Sequence, residues 1–156
     1  MPDDLYVRDV LAWSEQQAGL LRRVASGERV NGVDWENVVE EIESVGRSEL
    51  HSVESLTVQV FVHLLKLRGW PEDLSVRHWR KEVRAFRNDI GRRYVPSMRQ
   101  YLDLERLYRD ALDDFVDLAP NEQPSIPLPS HCPVTLAEFL TNDLEALEAA
   151  FKRTPT

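Results

Sequence analysis

Three groups of residues in this 156-residue chain have types and spacings that could do chemistry. Glu36, Glu40 and Glu43 fall at spacings of four and three, which on a helix puts three carboxylates on one face. Such a cluster could bind a divalent cation or move protons in acid–base chemistry. Di-metal helical bundles, however, use Glu-x-x-His pairs, and the residues three before His51, His63, His78 and His131 are Ser48, Val60, Ser75 and Leu128. No His-Glu-x-x-His run is present, and one cysteine with scattered histidines makes no structural zinc site. The sequence therefore predicts no metal and no cofactor.

The second group has the opposite charge. Between Arg77 and Arg93 seven basic residues stand against Glu82 and Asp89, and Arg80, Arg84 and Arg87 share a helical face. A row of guanidinium groups could hold carboxylates or phosphates through paired hydrogen bonds. Residues 34 to 49 carry six acids and one arginine, so the leading expectation is that the two charged segments neutralise each other across neighbouring helices. The third group is Glu49 and His63, reached by steps of seven from Ile42 and so on or beside an apolar stripe. A buried carboxylate needs a partner, which predicts that Glu49 meets Arg84 or Arg87 or sits at the stripe's edge. His63 reads as a core histidine satisfied by one hydrogen bond. Cys132 follows His131, but adjacent residues of an extended segment point apart, so the pair makes a poor thiolate and base. Trp13, Trp35 and Trp79 read as core anchors, and Trp70 before Pro71 as a cap on the bundle end.

Apolar residues recur at three-to-four spacings almost throughout, with no stretch of strict alternation, so the predicted fold is nearly all helix. A first helix spans about Asp4 to Ala25, with Val7, Val10, Leu11, Ala18, Leu21 and Val24 inward, Trp13 at the edge, and Gly27 ending it. A second starts at Asp34 and reaches Leu67, about 50 Å at about 1.5 Å per residue, with Trp35, Val38, Val39, Ile42, Val45, Val53, Leu56, Val60 and Leu64 on its stripe. Gly46 inside it predicts a bend or a close backbone neighbour. A third runs from Asp73 to about Tyr94 over Leu74, Trp79, Val83, Phe86 and Ile90. A capping box of Ser97 and Gln100 opens a fourth, to about Leu118, burying Tyr101, Leu104, Tyr108, Ala111, Leu112 and Phe115. Pro120, Pro124, Pro127, Pro129 and Pro133 make residues 119–133 an extended strap. Thr135 and Glu138 cap a short fifth helix over residues 135–151. The predicted architecture is a single domain: an up-and-down four-helix bundle, core about 4–118, with a Pro-rich strap and a C-terminal fifth helix laid across it.

The run from Asp34 to Glu49, DWENVVEEIESVGRSE, resembles the signature of the bacterial family catalogued as domain of unknown function twenty-nine. Trp13, Val62-His63-Leu64-Leu65-Lys66, Trp79-Arg80 with Arg84 and Arg87, and Cys132-Pro133-Val134-Thr135-Leu136 agree with it, over roughly residues 4 to 141. The resemblance implies a helical bundle and no established activity. The chain departs from that pattern in a longer C-terminal helix after Asn142 and in His51 and His78.

Composition bounds the rest. Apolar residues at 42% and charged ones at 29% exclude a disordered or low-complexity chain, and a net charge of −8 disfavours nonspecific attraction to DNA or anionic lipid. One cysteine makes no internal disulfide. The acidic start Met-Pro-Asp-Asp and an apolar maximum of only ten residues, Val58 to Leu67, predict a cytoplasmic protein with no membrane span. The leading expectation is a nonenzymatic helical module that self-associates as a homodimer or binds a protein partner, because the second helix outruns the others by about ten residues, about 15 Å. The first alternative is an anion or nucleic-acid binder using Arg80, Arg84 and Arg87. The second is an enzyme built around Glu40, Glu43 and His63.

Overall fold

The computed structural model describes residues 5–153, and every regular element among them is helical. In order these are α1 (Leu5–Arg8), α2 (Val10–Ala25), α3 (Trp35–Gly69), α4 (Val76–Arg93), a 3-10 turn (Pro96–Gln100), α5 (Leu104–Leu118), α6 (Leu136–Thr141) and α7 (Leu144–Lys152). The predicted all-α class holds. The expected start of the first helix at Asp4 lies outside the described residues. The chain divides into two compact units, Met1–Ser48 and Glu49–Thr156.

In the N-terminal unit one predicted helix is two. The Asp9 carboxylate accepts the amide of Ala12 and starts α2 afresh, an N-cap exchanged for continuity. Gly27, at φ +91°, supplies the left-handed turn that ends α2. The inward face also differs from the expected one: Trp13 and Gln17 are buried, whereas Val7, Val10, Leu11 and Val24 are exposed. Polar pins to Asp34 set that face. The Trp13 indole donates to Asp34 Oδ2 at 3.0 Å, and the Asp34 amide donates to Gln17 Oε1 at 2.8 Å. Asn37 donates its backbone and side-chain N–H groups to the same carboxylate, which holds Asp34 below the usual carboxylate range.

The C-terminal unit has one hydrophobic core. Residues Val60 to Leu65 of α3 are all buried, His63 among them, so this stretch has no solvent face and is the central rod of the unit. Phe61 is its hub, with ring centroids 5.9 Å from Tyr108, 5.3 Å from Phe139 and 5.8 Å from Phe151. Phe139, Leu147 and Phe151 belong to this core, so α6 and α7 complete it and the core extends past the expected limit at residue 118. The predicted fifth helix is broken after Thr141: the Thr135–Glu138 capping box starts α6 as expected, and Asp143 caps α7. The expected box at Ser97–Gln100 is not formed. Pro96 instead opens a 3-10 turn, and α5 starts further along on Asp103, which accepts the Arg106 amide at 3.1 Å.

The strap lies against the end of α3. Gly69 O accepts from Ser125 N at 2.8 Å, and a Cβ on Gly69 would sit 3.0 Å from Pro124 Cβ, so the crossing is tight enough to favour glycine. Tyr108 donates to Pro129 O at 2.5 Å, and burial pushes its pKa up. Arg68, nearly buried, donates to Pro127 O at 3.1 Å and Lys152 O at 2.6 Å, joining strap to α7.

Candidate functional site

The arginine row lies along α4, at spacings of four and three, and its members have three different fates. Arg80 is a clamp: Nε and Nη2 donate to the two carboxylate oxygens of Glu148 on α7 at 2.7 and 3.1 Å. The Glu148 carboxylate is almost fully buried and lies 3.7 Å from Lys152 Nζ. Its hydrogen bond raises the Arg80 pKa. Arg87 instead donates Nη2 to the carbonyls of Phe139 and Asn142 at the end of α6, where carbonyls lack helical donors. Burial lowers its pKa, against the opposing charge of Asp143. Arg84 has no hydrogen bond or ion pair among the described residues. It lines a groove of ≈490 Å³ with Arg80, Leu144, Glu145, Glu148 and Lys152.

The acidic residues are neutralised locally, not by that row. Arg47, later on the same helix, lies 2.5 Å from Glu40 and 3.5 Å from Glu43. Glu41 accepts from the Tyr6 hydroxyl at 2.7 Å, which raises the Tyr6 pKa. Glu49 meets neither Arg84 nor Arg87. Both its oxygens receive Arg93 Nη1, at 3.3 and 3.2 Å, in an exposed pair. The expectation of two segments neutralising each other therefore fails for Glu40, Glu43, Arg80 and Arg87. The reason is that each finds a nearer partner, Arg47 in α3 or the C-terminal helices. Glu148 was the residue that sequence reasoning missed. Its signal is its position among Leu144, Leu147 and Phe151, where an acid on an apolar face requires a cation.

His63 Nδ1 donates to Gln59 O at 2.8 Å, and the ring makes an edge contact with Phe86 at 5.4 Å. Burial lowers its pKa, so the buried form is the neutral imidazole. Cys132 donates its thiol to Val134 O at 3.3 Å, and burial pushes its pKa up to about 11. His131 Nδ1 faces Glu105 at 3.1 Å, whose second oxygen accepts the Cys132 amide. At neutral pH the sulfur is thus a thiol held in a turn, not a nucleophile. Among the described residues no group of three or more His, Cys, Asp or Glu is placed to hold a metal ion, and no helix is long and apolar enough to cross a membrane.

A second kind of surface is apolar. On α3, Trp35, Val39, Ile42 and Val45 are spaced by four, three and three, and are 57%, 49%, 68% and 67% exposed. Gly46 falls on the same face, with nothing within 4 Å of where a Cβ would stand. Thus of the two expectations at Gly46, a bend or a close backbone neighbour, the neighbour is not found among the described residues, and the stripe that the sequence predicts to be buried from Trp35 onward is covered at Val38 and then from Val53.

These features define an all-helical protein in which Arg80 and Arg87 are tied into the frame and whose N-terminal unit leaves apolar surface uncovered. The chain belongs to the family described as domain of unknown function DUF29, whose model matches residues 5–144. It is similar to the crystal structure of an α-helical protein of unknown function from Rhodospirillum rubrum, with 30% identity and a TM-score of 0.71. That likeness covers 92% of this chain and 95% of the other. No curated protein matches the chain.

Proposed function

We propose that this protein is a self-associating helical module whose N-terminal unit docks on the same unit of a second copy. The observation that carries the reading is the uncovered stripe of Trp35, Val39, Ile42 and Val45. Within residues 5–48 only Trp13, Gln17 and Val38 are buried, whereas eight large apolar side chains are exposed. A unit of this size with so small an interior needs further apolar burial to hold its shape.

A second copy is the occupant that these features favour, because the same apolar stripe on both copies is self-complementary about a two-fold axis. Each copy contributes a pair of helices, α2 and α3, and two such pairs make the four helices of a bundle related by a two-fold axis. Charge is arranged compatibly: Arg22 stands on α2 and Glu36 flanks the stripe on α3, neither of them in an ion pair among the described residues. An antiparallel arrangement brings one copy's Arg22 toward the other's Glu36, and Gly46 allows close approach of backbones.

Light scattering tests the reading. The expected result is twice the 18.1 kDa chain mass for the wild type and a single chain mass for Ile42→Glu with unchanged helical content. A wild type that stays monomeric at about 100 μM, a hundredfold above a 1 μM Kd, contradicts it and leaves the stripe to a different partner. A dimer that persists undiminished in Ile42→Glu contradicts it equally.

A further inference from the structure

We propose that the cleft between α4 and α6 is a binding site for a small aromatic carboxylic acid. The cleft of ≈160 Å³ is lined by Arg87, Ile90, Gly91 and Tyr94 of α4 and by Phe139 and Leu140 of α6. The α4 residues fall at spacings of three, one and three and so share one helical face, with Gly91 at its middle. A Cβ at Gly91 would meet nothing within 4 Å. The missing side chain is what opens the cleft. Its volume is close to the roughly 150 Å³ of an apolar cavity that holds benzene.

The lining is divided as an aromatic acid requires. Ile90 and Phe139 are core residues and give an apolar floor. Arg87 stands at one side with Nη2 committed to the carbonyls of Phe139 and Asn142, while Nε and Nη1 have no acceptor. No carboxylate forms an ion pair with it among the described residues. Asp143, whose charge reaches Arg87, places its carboxylate on the Ala146 amide as the cap of α7. A half-buried guanidinium held in place by carbonyls, with donors left over and no carboxylate in contact with it, is a prepared receptor for a carboxylate. The Tyr94 hydroxyl also has no hydrogen-bond partner among the described residues. The ring of the acid packs over Gly91 against Ile90 and Phe139, and its carboxylate meets Arg87 Nε and Nη1. Neutralising the cation also removes the penalty that burial places on it.

The test is a titration of the full chain with sodium benzoate, followed by the NMR signal of Arg87 Nε and the ring signals of Tyr94. The expected result is saturable binding with a Kd at or below about 1 mM. Benzyl alcohol, which lacks the charge, binds at least about tenfold more weakly, and Gly91→Leu, which fills the cleft, weakens benzoate by at least about tenfold. Gly91→Ala gives a smaller loss in a chain whose helix is if anything more stable. Absence of a saturable shift with benzoate overturns the proposal. So does equal affinity for benzyl alcohol, which removes Arg87 from the site, or unchanged affinity in both Gly91 variants.

Discussion

His63 shows how burial decides between chemistry and architecture at a single residue. The imidazole spends its Nδ1 proton on Gln59 O, packs on Phe86 and titrates below its usual 6.5 because the interior penalises the cation. The sign of the consequence is fixed. In the unfolded chain the ring takes up a proton near pH 6.5, while in the fold it resists, so its contribution to stability is complete above that pH and is lost as pH falls below it. Urea unfolding of the wild type is therefore expected to lose more stability between about pH 6.5 and 5 than unfolding of His63→Gln. Parallel curves for the two proteins over that interval would count against the assignment. The sequence placed His63 correctly on the core face by its spacing of seven from Leu56. The same argument could not find the partner of Glu49, because Arg93 lies about two turns beyond Arg84 and Arg87, and its long side chain reaches from the surface.

At the scale of elements, caps were legible only where they did not compete. Thr135 with Glu138 had no rival nearby and forms the reciprocal pair that its spacing predicts. Ser97 with Gln100 has the same spacing but sits on Pro96, with Asp103 one and a half turns downstream, and Asp103 is the cap that α5 uses. Asp103→Ala is expected to lower stability by about 1 kcal/mol, and Ser97→Ala by a few tenths at most. Thermal unfolding of the two variants checks this, and a larger loss at Ser97 would show that α5 begins earlier. In the C-terminal unit periodicity found the buried faces through Val83 and Ile90 of α4 and Leu104, Tyr108, Ala111 and Phe115 of α5, but it failed at Leu74 and Tyr101, which lie just before those helices and are exposed. It failed on α2 because the apolar count favoured Val7, Val10 and Leu11, while the hydrogen bonds from Trp13 and to Gln17 orient the helix toward Asp34. A pattern of apolar residues carries no record of such polar pins.

At the scale of the molecule, the two units differ in how far their own sequence completes them. The C-terminal unit surrounds Phe61 with aromatic rings and closes its strap with Arg68 and Gly69, and its buried side-chain polar atoms all have partners. The N-terminal unit has polar pins and almost no interior. The surplus of apolar helix was visible in the sequence as a length difference. Its position was not, because the stripe reads as continuous from Trp35 to Leu67 and only the structure shows where neighbours stop covering it. That uncovered length of α3 is the basis for the proposed self-association, and amide hydrogen exchange measured across a series of protein concentrations examines it directly. The account predicts that protection in α2 and in residues 35–48 rises with concentration, while protection in residues 53–67 stays constant. Protection in residues 35–48 that is the same at every concentration would contradict it.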